Sequence, residues 1–208
     1  MKQYYDRRAR EYDEWYEGTG LHARRERPGW HDEVAALCAV VAALPPARTL
    51  DVACGTGFLT RHLRGQVTAL DQSEAMLEIA RERVPAARVL RGDGLAMPFV
   101  DREFDRVFTG HFYGHLLGED RERLLAEARR VAAELVVTDA ALREDVEPEE
   151  WQERKLNDGS RHQVYKRFFT GDGLAAELGG GEVLHDGSWF VVVRHTERTK
   201  RPIAGSRS

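Results

Sequence analysis

Thr49-Leu50-Asp51-Val52-Ala53-Cys54-Gly55-Thr56-Gly57 sets a short apolar run against an acid and then two glycines one residue apart. Such a run reads as a buried strand turning sharply into a helix. Glycine at Gly55 or Gly57 lets the chain turn and lets a ligand approach backbone amides that a Cβ would shield. Two more acids, Asp71 and Asp93, each follow an apolar run of their own. Strand and helix patterns alternate around these three points, which implies an α/β protein with parallel strands and crossover helices.

Working outward, Val34, Leu37, Cys38, Val41 and Leu44 recur at helical spacing from His31 to Leu44, where Asp32 can cap the start and Pro45-Pro46 stops the run. Strands are expected over 48–53, 66–70, 87–91, 104–109 and 134–138, with helices over 58–64, 73–83 and 119–132. The stretch from Leu142 to Tyr165 reads as charged and irregular. A short helix from Thr170 to Leu178 meets Gly179-Gly180-Gly181, and strands over 182–185 and 189–194 form an antiparallel hairpin through Asp186-Gly187-Ser188. The basic segment from Glu197 to Ser208 reads as a frayed tail.

A chain of 208 residues, 42% hydrophobic and 32% charged, fits one domain able to bury a core without disulfide or metal staples. No apolar run approaches the roughly 18 residues of a membrane span. The polar start Met1-Lys2-Gln3-Tyr4-Tyr5 lacks the apolar core of a secretion signal, so a cytoplasmic address is expected. Cys38 and Cys54 are placed for neither a disulfide framework nor a metal knuckle, and the eight histidines show no metal spacing, so no metal is expected. A net charge of −4 with dispersed Lys and Arg gives no broad footprint for nucleic acid. A small-molecule partner is favoured, for a monomer or a homodimer.

In an open parallel sheet the ligand sits beyond the carboxyl ends of the strands, where Asp51, the glycines, Asp71 and Asp93 would gather. Asp71 is placed to accept hydrogen bonds from a ribose diol. Each acid alone is as readily a cap for a helix or turn, but three at matching strand ends, with the glycines, favour a nucleoside site. A nicotinamide fingerprint beginning at Gly55 fails at Thr60, where its third glycine belongs.

Four segments taken in order carry a more specific resemblance: Leu50 to Gly57, Leu70-Asp71-Gln72-Ser73-Glu74-Ala75-Met76-Leu77, Gly92-Asp93-Gly94-Leu95-Ala96-Met97-Pro98-Phe99, and Phe104-Asp105-Arg106-Val107. With them the chain, over Tyr4 to Thr196, resembles the class I, seven-stranded S-adenosylmethionine-dependent methyltransferases. The similarity is to the small-molecule branch that includes quinone-biosynthesis enzymes. The resemblance implies a three-layer Rossmann-like fold with a mostly parallel seven-stranded sheet, an antiparallel C-terminal hairpin and an N-terminal helical lid. One domain, 1–208, would divide into a lid and substrate cap (1–30), a cofactor core (31–141), a substrate-side insert (142–169), a helix and hairpin (170–196) and a flexible tail (197–208).

The same resemblance implies S-adenosylmethionine as cofactor, leaving as S-adenosylhomocysteine. The turn from Asp51 through Ala53, Cys54, Gly55, Thr56 and Gly57 would lie along its methionyl and ribose parts, Asp71 on the ribose hydroxyls, and Asp93 and Leu95 on the adenine. Gln72, Met76, Gly92, Gly94 and Thr109 complete the candidate cofactor site. Ala53 stands where many relatives carry the first glycine and adds only a methyl.

Methyl transfer from a sulfonium is an in-line displacement in which the protein mainly aligns donor and acceptor and keeps water out. A base helps when the acceptor must lose a proton. Histidine suits that role, and His111 and His115 follow the fourth strand, His115 falling by resemblance where many relatives carry a histidine. Taken alone, each reads more readily as a hydrogen-bonded structural or cofactor-packing side chain than as a base.

The charged leader from Tyr4 to Trp15-Tyr16 carries five aromatics and resembles the family's closing helix, with Tyr5, Tyr12 and Tyr16 as candidate lid contacts. Asp139 after the fifth strand, and Arg161, Tyr165 and Arg167 in the late insert, are the other candidate substrate residues; rings with cations suit a planar or anionic small molecule. The expected reaction is transfer to an O, N or C centre of a small aromatic or polar metabolite. Its alternatives are RNA or protein methylation, a non-catalytic cofactor-binding regulatory module and, more remotely, a nicotinamide-dependent oxidoreductase.

Overall fold

The computed structural model describes residues 2–197. Five strands lie parallel: β1 (Ala47–Val52), β2 (Gly65–Asp71), β3 (Arg88–Arg91), β4 (Arg106–Gly110) and β5 (Glu134–Ala140). A hairpin of β6 (Glu149–Lys155) and β7 (Arg161–Arg167) stands apart from the sheet. Two further strands, β8 (Glu182–Asp186) and β9 (Phe190–Thr196), complete a seven-stranded sheet of order β3-β2-β1-β4-β5-β9-β8, β9 running antiparallel to β5 and to β8. The chain leaves β1 toward one edge and returns to the other, so strand order switches between β1 and β4. A ligand crevice belongs there.

The pleat divides the sheet's side chains between two cores. Val107, Leu135, Val137, Val191 and Val193 face a cluster closed by α5 (Gly118–Val131) and α6 (Gly171–Glu177). Their neighbours Phe108, Val136, Phe190 and Val192 face Trp30, Leu37 and Val41 of α3 (Trp30–Ala43). Helix α4 (Glu74–Arg83) is capped by Ser73, whose hydroxyl accepts from the Met76 amide at 3.3 Å. The N-terminal segment comprises α1 (Lys2–Arg8), α2 (Glu14–Glu17) and short 3₁₀ turns.

Three local expectations are corrected. Helix α3 is capped by Gly29, in the left-handed region, and Asp32 falls in the first turn, favourable to the helix dipole. The helix expected over 58–64 shrinks to one 3₁₀ turn, Thr60–His62. Gly57 (φ +78°) and Gly65 (φ +100°) punctuate the chain on either side, and Gly65 presses so closely on Ala47 that a Cβ would stand 2.3 Å from its carbonyl oxygen.

The third correction concerns the insert read as irregular, which is the β6–β7 hairpin. Its turn is Asn157-Asp158-Gly159, with Gly159 at φ +84° and Asp158 accepting from the Ser160 amide at 2.8 Å. Glu11 and Glu14 reach that turn at Asn157, so the hairpin and the N-terminal segment brace each other. The tail expected over 197–208 lies, but for Glu197, outside the described residues. Among the described residues no helix is long and apolar enough to cross a membrane, and no group of His, Cys, Asp and Glu could hold a metal ion.

Candidate active site

A cavity of about 450 Å³ opens beyond the carboxyl ends of β1, β2 and β4, beside the loop after β3. Ala53 and Gly55 of the glycine turn form part of its wall, with Asp71, Gln72 and Met76 at the end of β2, and Gly92, Gly94 and Leu95 after β3. Main-chain groups lace these ends together. Asp71 accepts from the Gly55 amide (3.0 Å) and the Ser73 amide (2.8 Å), and its own carbonyl accepts from Gly92 (2.9 Å). Burial raises the Asp71 carboxyl above its ordinary range despite these bonds. Each carboxylate oxygen keeps a further lone pair for a hydroxyl donor.

Asp93 is exposed and outside the cavity wall, where it accepts from Gln72 Nε2 (2.8 Å) and the Leu95 amide (2.9 Å) and so sets the shape of that loop. The three acids do not meet in one crevice. Asp51 turns into a much smaller adjoining space with Cys54 and Tyr16, accepting from the Thr60 hydroxyl at 2.6 Å, and burial pushes its pKa to about 7. Thr56 and Gly57 lie behind the wall, Thr56 donating to Asp13 at 2.7 Å and Gly57 packing on Ala80. Thr109 donates to the Val52 carbonyl at 2.8 Å, tying β4 to β1 outside the cavity.

Two non-glycine residues of the wall have left-handed backbone, Ala53 at φ +57° and His111 at φ +55°. What alanine costs at position 53 is therefore set by φ rather than by the room for a methyl, and amounts to about 1 kcal/mol.

His111 is buried among the rings of Trp15 (4.9 Å), Phe190 (5.4 Å) and Tyr16 (5.8 Å), and neither ring nitrogen has a hydrogen-bond partner among the described residues. Burial lowers its pKa to about 3, against the pull of Asp139 4.0 Å away. His115 places Nδ1 2.6 Å from the Tyr165 carbonyl, which only accepts, so Nδ1 carries the proton and Nε2 the lone pair. Burial and then the Lys166 ammonium bring its pKa to about 3 as well.

Asp139 is fully buried, paired with Lys166, and accepts from the Gly114 amide at 2.7 Å. Burial pushes its carboxyl up, but Lys166 and the two histidines outweigh that and hold it below the usual range. Gly114 is required here, since a Cβ would stand 2.9 Å from the carboxylate.

Tyr5 and Tyr12 reach the cavity from the N-terminal segment, and Tyr165 from β7. Tyr16 instead stacks on Phe58 with centroids 3.8 Å apart. Arg161 pairs with Glu153 on the exposed hairpin, and Arg167 pairs with Glu177; neither reaches the wall. Trp151 and Gln163 of the hairpin, Phe112 and Leu116 after β4, and Asp120 of α5 also line the cavity and escaped the sequence reading. The Asp158-Gly159 turn was the signal that could have exposed the hairpin pair. Asp6 and Asp13 were missed too: they strap the leader down by accepting from the hydroxyls of Ser73 (2.6 Å) and Thr56 (2.7 Å).

Residues 50–134 match a family described as a methyltransferase domain. The chain is 36% identical over 107 residues to the demethylmenaquinone methyltransferase of Thermotoga maritima, covering 49% of this chain and 44% of that one. It thus spans less than half the length of that relative. An uncharacterized methyltransferase of Alkaliphilus oremlandii is 25% identical over 79% of this chain and 77% of its own. Among solved structures, the DhpI–SAM–HEP complex superposes with a TM-score of 0.71 at 27% identity, over 92% of this chain and 94% of that one. In its sheet order and strand-end site, and in these similarities, the chain resembles the class I S-adenosylmethionine-dependent methyltransferases. Within that class it resembles the quinone-biosynthesis type.

Proposed function

We propose that this protein binds S-adenosylmethionine and transfers its methyl group to an O, N or C centre of a small polar or aromatic acceptor. One observation carries the reading: a single cavity is walled by Asp71 and the strand-end glycines and by two neutral histidines, of which His115 bonds to Tyr165 of the β6–β7 hairpin. Its volume of about 450 Å³ is within the ordinary range for ligand pockets. The donor set suits a nucleoside, with Asp71 to accept from a ribose diol and Met76 and Leu95 to give a flat base apolar walls. The likeness to a protein solved with the same cofactor supports the assignment.

When bound, the cofactor supplies a methyl group already activated on a sulfonium, so no protein nucleophile is required. The chain's own work is alignment and exclusion of water. Tyr5 and Tyr12 roof the cavity, held down by the Asp6 and Asp13 contacts. His115 presents an unprotonated Nε2 that accepts a hydrogen bond from the acceptor's hydroxyl or amine and so orients the attacking lone pair. A pKa of about 3 makes either histidine a weak base near neutrality, so positioning carries more of the rate than proton abstraction. Buried Asp139, tied to Lys166 and Gly114, steadies the loop that carries both.

A cavity of about 450 Å³ and a net charge of −4 support a small acceptor over nucleic acid, and two unpaired cysteines suit a cytoplasmic setting. Methyl-labelled S-adenosylmethionine offered with a panel of small hydroxy, amino and phenolic acids tests the reading. Label should pass to an acceptor, and His115→Phe should lower kcat by about ten-fold with cofactor affinity intact. Label that binds and passes to nothing would make the protein a cofactor-binding module instead.

A further inference from the structure

We propose that this protein carries a second ligand pocket, for a phosphate or carboxylate group, where Arg8, Arg25 and Arg154 converge between the N-terminal segment and the β6–β7 hairpin. The pocket is a cavity of about 240 Å³ that shares no wall residue with the active cavity. Arg8 comes from α1, His22 and Arg25 from the 3₁₀ turn and the loop after it, and Arg154 from β6.

Four cations of the wall, Arg8, Arg25, Arg154 and Lys155, face three acids, so positive charge is in excess there. Glu11 accepts from the Asn157 amide (2.7 Å) and Glu14 from Asn157 Nδ2 (3.1 Å), neutral partners, while Glu153 spends its charge on Arg161 outside the pocket. Among the described residues, no ion pair reaches Arg8, Arg25 or Arg154. The Arg8 guanidinium rests on the Tyr12 ring at 4.7 Å, and Arg154 donates only to Gln152, leaving its buried Nε without a partner. The buried Nδ1 of His22 is also unpartnered. Burial first, and then the surrounding arginines, lower the His22 pKa to about 4, so the imidazole is neutral there.

Guanidinium forks from opposite walls are the arrangement that holds a planar carboxylate or a tetrahedral phosphate through paired charge-assisted bonds. The volume admits such a group on a small molecule. An occupant would clamp the leader to the hairpin, and Arg8 would carry that order to Tyr12, whose ring lies over Gly55. The anion can be a free metabolite or an anionic arm of the methyl acceptor; the chemistry is shared. The pocket stands independently of the methyl-transfer reading.

Calorimetric titration of the full chain with inorganic phosphate tests it. Phosphate should bind, Arg154→Gln should weaken binding by about ten-fold and the exposed Arg25→Gln by about three-fold, while Arg81→Gln on α4 should leave it unchanged. Circular dichroism confirms that the variants fold, and the Arg25 variant keeps the test alive if Arg154→Gln does not. Absence of phosphate binding, or binding in the Arg25 and Arg154 variants unchanged from the parent, overturns the pocket whatever the cofactor does. With the pocket established, phosphate that competes with the methyl acceptor marks an acceptor arm, and phosphate that binds without competing marks a separate ligand.

Discussion

At one end of the cavity, Asp71, Gly55, Gly92 and Leu95 lie close after strand ends and are joined through main-chain groups. At the other, Tyr5, His111, His115, Trp151 and Tyr165 arrive from separate segments and meet as side chains over a buried ion pair. The first end is rigid because the sheet makes it so; the second depends on charges and rings that must be assembled. Substitutions at the assembled end should therefore cost stability or acceptor affinity, and those at the strand ends cofactor affinity.

The largest effect is expected at Lys166. Lys166→Met leaves the Asp139 carboxylate buried without its partner and should lower stability by about 3–5 kcal/mol in urea unfolding. Arg161→Met, which breaks an exposed pair on the same strand, should cost less than about 1 kcal/mol. Equal stability of the Lys166 variant and the parent would show that the acceptor end needs no ion pair.

Asp51, in the smaller space beside the cavity, supplies a pH signature. Its folded pKa of about 7 lies above the ordinary 3.8, so the folded state holds its proton more tightly, and that contribution is complete below about pH 4 and lost as pH rises through 7. Asp51→Asn should thus gain stability at pH 8 and little at pH 4, read from thermal unfolding across pH. His111 and His115 act oppositely: their pKa values are depressed to about 3, so the stability they favour is present above 6.5 and lost as pH falls toward 3. A flat difference between Asp51→Asn and parent across this range would remove the buried acid from the account.

The smallest effect is expected at the rim. Trp151 is 62% exposed and lines the hairpin side of the cavity. Trp151→Ala should raise the acceptor KM by about five-fold, near 1 kcal/mol, with cofactor affinity unchanged. Matching losses in both would mean that the two ends are one site energetically.

The same contrast explains what could be read from the chain. Asp71, Gly55 and Gly92 were legible because strand-to-turn chemistry is local: an apolar run, an acid and a glycine within a few residues specify the geometry. Asp51 has the same local signature, and only the Thr60 hydroxyl, nine residues away, decides that it faces the smaller space. Arg161 and Arg167 looked like ligand cations, but their partners Glu153 and Glu177 are brought to them by the hairpin register and by α6. The hairpin itself was hidden because β6 carries charge at most of its positions, which masks the two-residue period. Ala53 and His111 add that backbone strain leaves no trace in composition.

Calorimetric titration with S-adenosylhomocysteine tests the central claim most directly, on the parent and on Asp71→Ala. One site per chain is expected in the parent, with binding weakened by about 2 kcal/mol, roughly thirty-fold, in the variant. Absence of binding, affinity unchanged in Asp71→Ala, or preference for a nicotinamide nucleotide would contradict the assignment of this cavity.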